Sequence, residues 1–107
     1  MARYIVKLTD PKSNVDYFLE WSTIVDAPVT YGMSEIEFRE YYREYYGTSS
    51  DAILNGRLDR VNLTGISAVG GTLNEVTRNN RAGENETNIS LQEILENYCI
   101  NHASWRQ

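Results

Sequence analysis

Along residues 3–8, RYIVKL, side chains alternate with the period of a β-strand. Tyr4, Val6 and Leu8 share one face, and Arg3, Ile5 and Lys7 share the other. Residues 15–22, VDYFLEWS, alternate in the same way: Val15, Tyr17, Leu19 and Trp21 lie opposite Asp16, Phe18, Glu20 and Ser22. The TDPKSN run between them is turn-forming, because Pro11 fixes its own φ and the side chains of Asp10, Ser13 and Asn14 bond local backbone. The pattern predicts an antiparallel hairpin with one buried face and one mixed face. The following segment, TIVDAPVTYGM, contains Pro28 and Gly32. Proline has no N–H to give a central ladder, so an ordered, extended loop is expected, with a short edge strand at Val29 to Tyr31.

The period then changes to that of a helix. In SEIEFREYYREYYG, Ser34 and Glu37 fit a capping box and Met33 and Phe38 a hydrophobic staple. Glu35 and Glu37 suit the positive end of the helix dipole, and Gly47 fits a left-handed C-terminal cap. Phe38, Tyr41, Tyr42 and Tyr45 are expected to form the inward stripe, with Tyr46 at its margin. Paired tyrosines cover more than one stripe of a helix. Part of that aromatic surface is therefore expected to meet water or a partner. A second helix is predicted from Ser49 or Ser50 to about Leu63, with Leu54, Leu58 and Val61 at helical spacing and Gly65 ending it. Gly56 weakens it by roughly 1 kcal/mol relative to alanine. ISAVGGTLNEV reads as a hairpin around Gly70-Gly71, with a helix over TLNEVTRNN as the alternative, and RNNRAGENETN reads as a loop. SLQEILENYCI repeats the grammar of the first helix: Ser90 and Glu93 can form a box, Ile89 and Ile94 a staple, and Leu91, Ile94, Leu95 and Tyr98 a stripe. The expected fold is a single α+β domain over residues 1–107. Its small antiparallel sheet, made of the N-terminal hairpin and a second short hairpin, packs with two to three helices, mainly on one face.

Composition narrows the function classes. A chain of 107 residues buries a limited share of its surface. A homodimer or higher homo-oligomer is therefore expected, with the tyrosine helix or Trp105 at the contact. The net charge of -5, from 15 acidic and 10 basic residues, argues against a nonspecific nucleic-acid binder. The lone Cys99 cannot form an internal disulfide, no secretory signal is evident, and no apolar run reaches the length of a membrane span. A cytoplasmic protein with no membrane partner is expected. One Cys and one His cannot make a zinc tetrad, and neither a P-loop nor GxGxxG is present, so no metal or cofactor is expected. Cys99 and His102 stand three apart and can share a helical face. A buried thiol beside a histidine that complements the helix dipole accounts for them better than a nucleophile and its base. Asp26, before Ala27-Pro28, reads as a turn cap. The residues offer no catalytic set, and the chain reads as a non-enzyme.

Binding chemistry is concentrated in the arginines. Arg57 and Arg60 lie on the second helix, and Arg78 and Arg81 flank Asn79-Asn80 with Gly83 beyond. Guanidinium forks, amide groups and open backbone N–H groups can hold phosphates and read the edge of a base. Trp21 and Tyr31 are the candidate stacking surface. LEWSTIVDAPVTYGMSEIEFREYYREYYG, followed by NRAG and SLQEILENYC, resembles a group of small phage proteins associated with the sponges that sequester cyclic-nucleotide signals of bacterial defence systems such as Thoeris. That resemblance spans residues 3 to 99. It implies a non-enzymatic anti-defence protein in the host cytoplasm. Such a protein would capture a cyclic nucleotide or ADP-ribose-type messenger in a pocket at a subunit interface, with Arg57, Arg78 and Arg81 as phosphate contacts beside Asn79 and Asn80. The alternative from another class is a protein–protein inhibitor of a host enzyme or defence complex, anti-CRISPR-like, whose acidic tyrosine helix is the binding face.

Overall fold

The computed structural model describes residues 3–68 and 72–100. The alternating runs form strands β1 (Arg3–Thr9) and β2 (Asp16–Ser22), paired antiparallel from Arg3 opposite Ser22 to Thr9 opposite Asp16. Asp10 organises the turn between them. Its carboxylate accepts from the Lys12 N–H at 3.1 Å and the Ser13 hydroxyl at 2.8 Å. β3 (Ala27–Pro28) pairs antiparallel with the other edge of β2, giving the order β1-β2-β3. This strand precedes the expected position at Val29 to Tyr31. Proline is tolerated there because a sheet edge does not need its N–H.

Beyond Pro28 the chain leaves the ladder and then returns. The Val29 N–H still reaches the Glu20 carbonyl at 2.8 Å. The Glu20 N–H then donates to the Thr30 hydroxyl at 3.0 Å, a side chain standing where a ladder carbonyl would be. Met33 rejoins β2 by exchanging backbone bonds with Phe18 at 2.7 and 2.8 Å. The excursion is pinned from outside by Gly32, whose N–H donates to the Tyr98 carbonyl at 2.7 Å. A Cβ on Gly32 would lie 2.6 Å from Cys99 Sγ and 2.9 Å from its Cβ, so the close approach requires glycine.

Helix α1 (Glu35–Tyr46) starts at the expected box: the Ser34 hydroxyl accepts the Glu37 N–H at 3.1 Å, and the Glu37 carboxylate accepts the Ser34 N–H at 3.0 Å. Gly47 ends it with φ 84° and ψ 163°, a positive φ but not the left-handed helical cap expected. Helix α2 (Asp51–Thr64) follows a 3₁₀ turn and ends at Gly65 in the left-handed conformation, φ 87°. Helix α3 (Leu73–Thr77) takes the place of the second arm of the second hairpin. Its Thr72 cap accepts the Glu75 N–H at 3.2 Å. TLNE thus carries the same start signature as the other two capped helices, and this local signal prevails over the hairpin reading. Gly70 and Gly71 lie outside the described residues, as do His102 and Trp105. Helix α4 (Leu91–Leu95), boxed by Ser90 and Glu93, runs on as a π-helical turn over Glu96–Ile100.

Both faces of the sheet are covered. Ile5 and Phe18 pack with Met33, with Phe38, Tyr41 and Tyr42 of α1, and with Leu54, Leu58 and Val61 of α2. On the opposite face, Val6, Leu8, Leu19 and Trp21 pack with Ile66, Ala82, Ile94, Leu95 and Cys99. Helices on mainly one face were expected. The mixed face is nevertheless buried, because Ile5 and Phe18 are large and apolar and its buried acid, Glu20, finds donors under α1, while Asp16 stays exposed at the strand end.

Two glycine substitutions should act with opposite signs. Gly32→Ala is expected to destabilise the fold by about 1–3 kcal/mol through overpacking. Gly56→Ala, where an added Cβ meets nothing within 4 Å, should stabilise by up to about 1 kcal/mol. Urea unfolding followed by circular dichroism reads both.

Candidate functional site

The excursion after β3, the C-terminal half of α1 and the π-helical turn enclose a cleft of about 490 Å³. Pro28, Val29, Thr30 and Tyr31 form one wall, Tyr41 and Tyr45 a second, and Tyr98 and Arg3 complete it. Each tyrosine is positioned by a separate device. Tyr31 stands on the excursion and packs against Tyr98, with ring centroids 6.2 Å apart. Tyr98 is fixed by its hydroxyl, which donates to the Ala82 carbonyl at 2.8 Å. Tyr45 packs on Tyr41 at 4.8 Å, the geometry of favourable tilted aromatic pairs. Burial pushes the Tyr98 hydroxyl above the ordinary tyrosine range. Among the described residues the cleft's lining is therefore tyrosine-rich, with Arg3 its one ionised side chain.

Behind this lining lies a buried carboxylate. Glu20 is 1% exposed. One oxygen accepts from the Tyr41 hydroxyl, and the other accepts from the Tyr46 hydroxyl at 2.7 Å. The Arg3 guanidinium stands 3.5 Å from Glu20 Oε1, with 47% of its own side chain exposed. A buried carboxylate is costly unless hydrogen-bonded and paired, and here it is both. Burial first, and then the bond to Glu20, push Tyr41 and Tyr46 above the usual phenol range, Tyr41 the further. Both hydroxyls thus stay protonated as donors. Their bonds also change the reading of α1. Tyr46 turns inward to reach Glu20, whereas Tyr45, expected in the inward stripe, is 65% exposed at the lip of the cleft.

The residues singled out from sequence are dispersed. Tyr31 lines the cleft. Trp21 is fully buried in the opposite core, its indole N–H without a partner among the described residues, so it presents no stacking surface. Arg57 Nη1 donates to the Tyr42 hydroxyl at 3.1 Å, and Arg60 Nε donates to the Ser67 carbonyl at 3.0 Å. Arg78 and Asn79 are exposed, and Arg78 borders a separate cleft with Asn88 and Ser90. The Arg81 N–H donates to the Asp26 carbonyl at 2.7 Å, tying its loop to the β2–β3 turn. Asn80 is 3% exposed. Its amide donates to the Thr77 and Ile89 carbonyls and accepts from the Ala82 and Ile89 N–H groups. All four bonding positions of that amide serve to close its loop. The arginines are thus tied to different elements, and Arg57, Arg60, Arg78 and Arg81 do not line the tyrosine cleft.

Sequence reasoning passed over Arg3, Glu20 and Tyr98. One signal was available: Glu20 sits between Leu19 and Trp21 in a strand otherwise rich in large apolar residues. Burial pushes the Cys99 thiol up to about 12, which leaves it protonated at neutral pH and unsuited to nucleophilic work. Its expected neighbour His102 lies outside the described residues. Among the described residues no group of three His, Cys, Asp or Glu could hold a metal ion, and no helix is long and apolar enough to cross a membrane. Comparisons with models of protein families, with curated proteins and with solved structures returned no match.

The linkage of Tyr41 and Tyr46 sets a pH dependence. Their folded pKa values lie above the unfolded value near 10, so the folded state holds more protons than the unfolded state above that pH. Their contribution is complete below about pH 10 and is lost as pH rises further. Stability measured by urea unfolding should be flat with respect to these groups from about pH 7 to 9 and should fall above about 10. Tyr46→Phe, which removes one donor from a buried carboxylate, should cost about 1.5–3 kcal/mol at pH 7 and make the alkaline fall shallower.

Proposed function

We propose that this protein captures a nucleotide-type signalling molecule in the tyrosine cleft and holds it without converting it, in the manner of the phage anti-defence sponges it resembles. The observation that carries the reading is a cleft lined by Tyr31, Tyr41, Tyr45 and Tyr98 with one guanidinium, that of Arg3. Tyrosine rings stack on any base and keep a polar edge for its exocyclic groups. Arginine matches the oxygens of a phosphate. The volume, about 490 Å³, falls within the range of small-ligand sites. Turnover has little support. Tyr41 is committed to Glu20, and among the described residues the cleft lining combines no thiol, histidine or carboxylate.

Stoichiometric capture needs affinity rather than rate, and nanomolar binding corresponds to about 12 kcal/mol net. Closure of the open cleft by a second copy over the exposed Tyr45 supplies added burial, so homo-oligomerisation belongs to the proposal. The rival reading, a protein–protein inhibitor, has its own support on the outer face of α1. There Ile36 is 72% exposed among Arg39, Glu40, Arg43 and Glu44.

Native mass spectrometry with cyclic dinucleotides, cyclic trinucleotides and ADP-ribose isomers tests the capture reading. We expect one class to be retained unaltered, and Tyr45→Ala to weaken its retention at least tenfold with little change in melting temperature. Retention of none by the folded wild-type protein overturns the reading, and stable binding of a host enzyme through Ile36 would put the inhibitor in its place.

A further inference from the structure

Resting on that capture reading, we infer that Arg3 is the phosphate contact of the tyrosine cleft and that Glu20 is the internal anion which holds this guanidinium until a ligand phosphate takes it over. Glu20 keeps hydrogen bonds without Arg3, since each of its two oxygens already accepts a tyrosine hydroxyl, and Arg3 supplies its countercharge. The Arg3 contact, at 3.5 Å, is longer than a good hydrogen bond and has the character of an ion pair. The nearby Tyr46 hydroxyl also favours the charged form of Arg3. Almost half of its side chain remains exposed, and it lines the cleft while Glu20 does not. A guanidinium has five N–H donors in a planar fork. Donors beyond those facing Glu20 and Tyr46 remain for an oxyanion in the cleft.

Charge then selects the ligand. At rest the Arg3–Glu20 pair is neutral, and among the described residues the cleft lining carries no carboxylate to attract a cation. A cationic guest would meet Arg3 directly, whereas an uncharged one would leave it idle. A ligand that joins a planar base to a phosphate uses both features: the base lies against the tyrosines while the phosphate moves the guanidinium outward. Because Tyr41 and Tyr46 keep their bonds to Glu20, that exchange leaves neither carboxylate oxygen without a donor, and the ligand phosphate has to offset only the weakened attraction of the ion pair.

Isothermal titration with three probes, cyclic di-AMP, AMP and adenosine, tests this at two ionic strengths. The wild-type protein should bind AMP at least tenfold more tightly than adenosine, and added salt should narrow the gap. Arg3→Gln should bring the AMP-to-adenosine ratio close to one, and Arg3→Lys should restore part of it. Glu20→Gln, if folded by circular dichroism, should raise the ratio several-fold, since it removes the internal competitor. Equal binding of AMP and adenosine by the wild-type protein, or an unchanged ratio in Arg3→Gln, overturns the inference and leaves the capture reading standing. Binding of none of the three probes also overturns it, and the wider ligand panel then decides alone on capture.

Discussion

One carboxylate governs the join between sheet and helix. Glu20 lies on the sheet face under α1, where an unpaired charge would cost several kcal/mol. The hydroxyls of Tyr41 and Tyr46 reach it from successive turns of the helix. Those bonds fix both the rotation of α1 about its axis and its height along β2. The apolar contacts of Phe38, Tyr42 and Leu58 fill the remaining space, but such contacts are non-directional and tolerate small rotations. The polar bonds do not. Once α1 is set by Glu20, Tyr45 is left outside, and the cleft acquires its outer aromatic wall.

The opposite wall follows from an interruption in strand pairing. The chain leaves the ladder after Val29 and rejoins it at Met33, with the Thr30 hydroxyl bridging the gap. Such departures re-aim side chains at the margin of a sheet. Here they turn Tyr31 toward Tyr98. The π-helical turn beyond α4 completes the arrangement, because it brings the Tyr98 carbonyl to Gly32 and packs Cys99 against the same glycine. Local departures from regular helix geometry of this kind often occur where a site is formed. Cys99 thus has a packing role, and its raised pKa is a consequence of that burial.

The two function classes considered from sequence use different faces of one helix. A small-molecule site uses the side of α1 facing the excursion, where the aromatic rings meet Arg3. A protein–protein contact uses the outer side, where Ile36 stands among alternating charges. Concavity, aromatic surface and a cation coincide on the first, which is why we propose it. The arginine-rich loop around residues 78–81 reads differently once Asn80 is seen as its clamp. Its amide chemistry is directed inward, holding the loop against the start of α4.

Local rules settled a large part of this molecule. The alternation in residues 3–8 and 15–22 and the turn chemistry of Asp10 specify the hairpin, since period and turn residues act over a few positions. The Ser34 and Ser90 boxes mark where helices start for the same reason, and Thr72 with Glu75 carried that signal too. What sequence left open depends on partners distant along the chain. Whether Glu20 is solvated or buried is decided by residues 21 and 26 positions later, and with it whether Tyr45 or Tyr46 turns inward. The concealment of Trp21, the commitment of Asn80 and the convergence of Arg3 and Tyr98 on one cleft are likewise products of long-range packing. Periodicity identifies a face of an element, but only the assembled layers determine what that face meets.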